Sequence, residues 1–281
     1  MALLFTPSHL KKNKPVYKTT AARLMPGALF LCFFLFYSTA VSEMLPVIKS
    51  RAGIPPHEVI EELIRSNSAA SRHDGPRAQT SKPFITPYLT WVTDSDPRLQ
   101  PDMIMGSNAP TIFSVRTLSG MLDDVLGSVD FGVNHLHAPV LLITVNSDSY
   151  GLRLYMRGHA LMGENIRENL EEYSMALERP KQTDIRYSGQ WKKNLDLLVD
   201  HQVALAMERY RARVDNGRLV IVGSILDLAN IFGKGGNKLL IVNVNGETES
   251  AKIRELPFFV RLDQDLIDVH VLDRSRYQEL R

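Results

Sequence analysis

The feature that most constrains this chain lies in residues 88–151, where two short apolar runs each end in a polar cluster. Residues 88–93, with Leu89, Trp91 and Val92, open into Asp94, Ser95, Asp96, Pro97 and Arg98. Residues 139–145, with Val140, Leu141, Leu142, Ile143 and Val145, open into Asn146, Ser147, Asp148 and Ser149. Between them, residues 123–136 read as a helix, so the order is strand, helix, strand. In a parallel α/β sheet this order sets the carboxyl ends of the two strands side by side, where such folds place their sites. The two polar clusters are therefore expected to share one crevice.

Those clusters carry a resemblance. Asp96, Arg98, Pro101 and Asp102 fall on a pattern of the form Cys-x-Asp-Ser-Arg-x-x-Pro-Glu, and Asn146 to Ser149 on His-x-x-Cys. Phe113-Ser114-Val115-Arg116, Asp124-Val125-Leu126-Gly127-Ser128 and Asn134-His135-Leu136 extend the match, as do residues 217–223 and Asp227-Leu228 more faintly. Over about residues 56 to 245 the chain resembles a β-class carbonic anhydrase. The resemblance implies an α/β fold with a central, mainly parallel sheet flanked by helices. It also implies a dimer, since dimerisation in that family assembles part of the pocket. In the family two thiolates and one imidazole hold the metal, and an Asp-Arg pair positions or exchanges with its fourth ligand. Here Asp96 and Arg98 match the pair, while the three ligand-equivalent positions carry Asp94, Asn146 and Ser149.

The chemistry of zinc can be weighed without the family. A catalytic zinc takes three firm ligands from thiolate, imidazole or carboxylate and keeps one position for water. Only Asp94 is of that kind. An Asn amide oxygen is neutral and suits harder cations, and a Ser hydroxyl is not ionised near neutrality. The expectation is no zinc and no other cofactor. Asp94, Asp96, Asp148 and His159 are an alternative oxygen-rich set for Mg²⁺ or Mn²⁺. His135 and His137, two apart at a helix end, read as a surface or capping feature rather than a ligand pair. Asp96 and Arg98 also have a purely structural reading, because an acid and a base two apart on a turn pair with each other.

The segment preceding this domain differs in character. Lys11, Lys12, Lys14, Lys18 and Arg23 precede an uncharged run over residues 24–42, with no acid among them. The run is borderline for a membrane span and long for a signal-peptide core, and small residues at Ser38, Ala40 and Ser42 offer cleavage spacing. Residues 1–42 are expected to be a basic flank with a signal peptide or membrane anchor, placing the protein at a membrane or exporting it; an organelle transit segment is the other reading. From Glu43 onward, 28 of the 33 basic residues face 31 acidic ones, a net charge of −3, which argues against a nucleic-acid binder. The single cysteine, Cys32, lies in the apolar run, so the remainder has no disulfide, iron–sulfur or Cys-based zinc site.

Four segments follow: 1–42; an arm helix and surface loop over 43–82, with Val59, Ile60, Leu63 and Ile64 at helical spacing before a loop from Ser66 to Lys82; the carbonic-anhydrase-like domain over 83–250; and an extension over 251–281 that the resemblance does not reach. The arm helix resembles the one β-class enzymes lay over a partner subunit; packing on its own domain is the alternative. Within the domain, Ile166, Leu170, Tyr173 and Leu177 predict an amphipathic helix, and residues 190–214 another that ends before Asn216-Gly217. Residues 218–223 and 238–244 read as strands, a fourth parallel one and an antiparallel edge. The run Gly233-Lys234-Gly235-Gly236-Asn237 lacks the Ser or Thr of a phosphate loop and leads into a strand, so it reads as a turn. The alternation of Ile267, Val269 and Val271 predicts one more strand in the extension.

Three functions remain open on the sequence. One is a pseudoenzyme that has lost zinc and CO2 hydration and serves as an interaction or regulatory subunit, a homodimer or oligomer with a protein partner or a membrane. Another is a carbonic anhydrase or related lyase working through a non-standard metal site. The third is a binder of bicarbonate or another small anion through Arg98, loop amides and Arg116.

Overall fold

The computed structural model describes residues 55–72, 86–106, 111–177 and 188–278. The apolar run over 24–42 lies outside the described residues, and among those described no helix is long and apolar enough to cross a membrane. The chain divides into two units, residues 1–61 and 62–281. Helix α1 (Pro56–Arg72) carries exposed Val59, Ile60, Leu63 and Ile64. It runs further than the sequence suggests: Ser66 to Arg72 continue the helix rather than starting a loop, and the Ser66 hydroxyl donates to Glu62 one turn back at 2.6 Å.

The second unit is built on a five-stranded sheet in the order β2-β1-β3-β4-β5. Strand β1 (Leu89–Asp94) lies between β2 (Ile112–Thr117) and β3 (Val140–Asn146), parallel to both. Strand β4 (Val220–Asp227) continues the parallel set beside β3, and β5 (Lys238–Val244) closes it antiparallel. The adjacency of β1 and β3 agrees with the strand–helix–strand reading, but β2 intervenes in sequence and pairs on the far side of β1. The chain therefore leaves β1 in one direction and returns on its other flank. That reversal makes the carboxyl ends of β1 and β3 the topological switch point, the place where open α/β sheets hold ligands.

Side chains alternate across the sheet. On one face Leu141, Ile143, Ile221 and Ile225 join a large core with Trp191, Leu195, Val199 and Val203. On the other, Leu89, Trp91, Leu142 and Leu226 meet Leu99 and the short helix α2 (Pro101–Met105). The expected helix over 123–136 is a single-turn 3₁₀ segment (Asp123–Val125), then α3 (Leu126–Asp130), then a wider π-type turn (Phe131–His135). Helix α4 (Tyr150–Arg157), not anticipated from the sequence, follows β3 directly; of the amphipathic helix expected over residues 167–179, α5 (Glu164–Glu171) forms only the first part, burying Leu170 and leaving Ile166 exposed, and buried Tyr173 lies in a 3₁₀ turn (Glu172–Met175) beyond its end.

The 27-residue α6 (Gly189–Asp215), roughly 40 Å long, spans the large core as residues 190–214 suggest. Ser188 caps its start by accepting from the Trp191 amide, and Gly217, in the left-handed region at φ 71°, ends it, its own amide donating to the Val214 carbonyl and the Arg218 amide to the Arg213 carbonyl. The helix lies close on β4 because residue 223 has no side chain. A Cβ on Gly223 would fall 2.5 Å from Val199 Cγ1 and 2.7 Å from Val203 Cγ2, and β-branched side chains have little rotameric freedom to yield.

The extension departs from expectation. Residues 264–270 form helix α8 (Gln264–His270) rather than a strand, after a short α7 (Ser250–Glu255), and only Val271 makes a bridge, parallel to Ile241 of β5. Ile267 and Val271 are four apart, and they pack with Val244, Ile253 and Phe259, so the helical period wins over the two-residue one. Past the bridge, Arg274 is buried and binds Asp200 at 2.6 and 2.9 Å, with Asp196 at 3.4 Å, fastening the extension to α6. The extension ends among the described residues in α9 (Ser275–Gln278).

Gly223→Ala should lift α6 from β4 and cost about 1–3 kcal/mol, read as a lower urea midpoint, whereas Leu197→Ala on the exposed side of α6 should change the midpoint little.

Candidate functional site

At the switch point the first loop is held by one carboxylate. Asp96, only 5 % exposed, accepts from Arg98 Nε at 2.9 Å and Nη2 at 2.6 Å, and from the Arg98 backbone amide at 2.9 Å. Asn146 Nδ2, from the end of β3, donates to Asp96 Oδ2 at 3.0 Å. Arg98 then reaches the second loop, with Nη1 on Asp148 Oδ2 at 2.9 Å and Nη2 on the Asp148 carbonyl at 3.2 Å. Asp148 also pairs with Arg153, one turn into α4, and the Arg98 and Arg153 guanidinium groups stack over the Tyr150 ring at 5.2 and 5.1 Å. Burial alone would raise the Asp96 carboxyl, but its bonds from Arg98 outweigh that and hold it below the usual range, while Asp96 and Asp148 raise Arg98.

Beneath this ion-pair layer, the crevice is lined by Asp94, Asn146, Ser149, Gly120, Tyr173 and Gln202, among others. Its free space is about 10 Å³, enough for one water. Gly120 permits the close cover: at φ 71° it lies so near β1 that a Cβ would fall 2.8 Å from the Asp94 amide nitrogen. The loop holding Gly120 is fixed by long-range bonds, the Tyr173 hydroxyl donating to the Ser119 carbonyl at 2.8 Å and the Leu122 amide to Gln202 Oε1 at 2.6 Å. Tyr173 itself packs against Gly151, where a Cβ would fall 2.8 Å from the tyrosine oxygen. Its phenol is pushed up by burial and by the charge of Asp94.

The three positions singled out in sequence, Asp94, Asn146 and Ser149, do come together here, all buried. Two are occupied with the protein's own polar groups. Asn146 Oδ1 accepts from the Asp148 amide at 2.9 Å while its Nδ2 serves Asp96. The Ser149 hydroxyl caps α4 by accepting from the Leu152 amide at 3.3 Å. Only Asp94 keeps a buried oxygen, Oδ1, without a partner. A neutral amide, a capping hydroxyl and one carboxylate do not make a zinc donor set, and the residues present do not fit that ion. Among the described residues no group of three or more His, Cys, Asp or Glu is placed to hold any metal.

The proposed oxygen-rich set does not assemble. Asp96 and Asp148 are held by arginines, and His159 turns to Glu171, its Nε2 2.9 Å away, beside a separate surface cavity. Arg116 lies on β2 with its guanidinium 5.3 Å from the Trp91 ring and does not line the crevice. His135 stacks on Phe131 at 4.9 Å. Sequence reading missed Gly120, Tyr173 and Gln202. Their contacts span dozens of residues of chain, and only the left-handed glycine left a local trace. Arg153 was legible in principle, four residues after the helix-capping Ser149.

The fold and this site define a β-carbonic-anhydrase-like protein. The family model described as carbonic anhydrase matches residues 89–234. A tetrameric β-carbonic anhydrase from the filamentous ascomycete Sordaria macrospora superposes with a TM-score of 0.55 at 15 % identity, covering 66 % of this chain and 97 % of that one. The β-carbonic anhydrase CcaA superposes with a TM-score of 0.50 at 14 % identity, covering 66 % of this chain and 94 % of that one. No curated protein matches in sequence. The chain belongs to the carbonic anhydrase family.

Burial pushes the Asp94 carboxyl from 3.8 up to about 6, with the charge of Asp96 adding to this and the Ser149 bond opposing it. The folded chain then binds this proton more tightly than the unfolded chain, so the Asp94 contribution to stability falls as pH rises from about 4 to about 6. Asp94→Asn should therefore be more stable than the parent above pH ~6, by roughly 3 kcal/mol, with the gap closing below pH ~4; urea unfolding across a pH series reads this directly.

Proposed function

We propose that this member of the carbonic anhydrase family binds no zinc at Asp94, Asn146 and Ser149, does not hydrate CO2 there, and acts as an interaction or regulatory subunit. The observation that carries this reading is how the second polar cluster is used: Asn146 serves Asp96 and Asp148, and Ser149 caps α4. Each oxygen accepts one backbone amide, and neither is the thiolate or imidazole that a catalytic zinc takes. The crevice also holds about one water, too little for a substrate beside a nucleophile. Asp96 and Arg98 then serve to lock the β1 and β3 loops together, a structural use of the family pair.

The uncharged run over 24–42 supports placement at a membrane or export across it. The tetrameric relative supports a homo-oligomer. A regulatory or scaffolding role follows from a kept fold without a kept metal site.

Metal analysis and stopped-flow CO2 hydration on the purified chain should give no stoichiometric zinc and no rate above buffer. The triple variant Asp94→Cys, Asn146→His, Ser149→Cys should gain zinc, with some loss of stability from the weakened α4 cap, about 1 kcal/mol. One tightly bound zinc with rapid hydration in the unaltered chain would overturn the proposal.

A further inference from the structure

Another cavity, about 420 Å³ in volume, lies between α6, the β4–β5 loop and the C-terminal extension, and shares no lining residue with the Asp94 crevice. Four cationic side chains reach it from four separate segments: Lys192 of α6, Lys234 of the β4–β5 loop, Arg254 of α7 and Arg276 of α9. Two acids, Asp268 and Asp273, line it as well, so the lining carries a net charge of +2 on a chain that is net negative beyond its N-terminal segment. Arg254, Arg276 and the two acids order one another: Arg254 pairs with Asp268 and reaches the Val271 carbonyl at 3.2 Å, and Arg276 lies 3.5 Å from Asp273. Lys234 donates to the Asp268 carbonyl at 3.0 Å, which leaves its other two N–H groups outside that bond.

The wall is fixed in place before any ligand arrives. Buried Asp227, at the end of β4, accepts from the Ile231 and Phe232 amides at 2.9 Å each, and Asn230 Oδ1 accepts from the Gly235 amide at 2.9 Å. These bonds set Phe232 beneath the Lys192 ammonium, 5.3 Å from the ring centroid. Val271 and Leu272, held to β5 by the bridge at Ile241, complete an apolar side. With its two acids counted the lining keeps a net charge of +2, and a concave basic wall concentrates an anion. The volume is that of a small-molecule site. Half of the cations come from residues beyond the region matched to the family, so the site depends on the extension.

From this geometry we infer that the cavity is a binding site for a small phosphorylated metabolite. Its phosphates are held by Lys192, Lys234, Arg254 and Arg276, and its apolar or flat part lies against Phe232, Val271 and Leu272. Phosphate suits the set, since arginine forks and lysine ammonium groups both bind it and each phosphate offers several acceptor oxygens to cations arriving from different directions.

Isothermal titration calorimetry of the full chain with inorganic pyrophosphate, and separately with ADP, tests the proposal. One saturable site per chain is expected for both probes, and Lys192→Met with Lys234→Met should weaken each by at least tenfold. Phe232→Ala should weaken ADP several-fold and pyrophosphate less than twofold. In the unaltered chain, saturating pyrophosphate should slow acetylation of Lys192 and Lys234 several-fold, a readout that needs no variant to fold. Absence of saturable binding of either probe, affinity unchanged in the double variant, or acetylation at the same rate with and without pyrophosphate would each overturn it.

Discussion

The buried carboxylate of Asp96 is the point on which the site region depends. It takes three donors from Arg98 and one from Asn146, and through Arg98 it reaches Asp148 on the neighbouring loop. A charged group this far from water is tolerated only when its partners are complete, and losing one leaves the other uncompensated. The loops after β1 and β3 are thereby fastened across the switch point, with Asn146 and Asp148 aligned by that bond set. Asn146 serves the ion-pair layer and Ser149 starts a helix, so both residues are structurally occupied.

Below that layer the contrast between Asp94 and its neighbours is physical rather than positional. Asp94 sits in the same crevice but retains one oxygen with no donor, and its carboxyl is raised by burial to about 6. The cover over it comes from far along the chain, with Tyr173 and Gln202 anchoring the Gly120 loop. A crevice closed this tightly by the protein's own side chains is a packed interior with a polar lining.

Much of this was legible before folding. The two apolar runs with polar ends announced β1 and β3, their adjacency and the shared crevice, because strand order and right-handed crossover leave few alternatives. The long α6 was legible from its apolar residues and its stop at Asn216-Gly217, whereas its cap at Ser188 was found only in the structure. The extension misled because Ile267, Val269 and Val271 satisfy a strand period while Ile267 and Val271 satisfy a helical one, and only the neighbours Val244, Ile253 and Phe259 decide between them. Likewise α1 outran its apolar stripe, since Ser, Asn and Ala continue a helix when nothing terminates it.

The sequence by itself determined the family, the mainly parallel α/β architecture and the chemical poverty of the three ligand-equivalent positions, because periodicity, motif order and side-chain type are properties of the chain. Only the tertiary structure decided that Asn146 and Ser149 are committed to internal hydrogen bonds, that His159 and Arg116 stand apart from the crevice, and that Lys192, Lys234, Arg254 and Arg276 share a hollow. Those facts depend on which distant segments meet, and a hydrogen bond or a charge cluster between residues dozens of positions apart leaves no periodic mark along the chain.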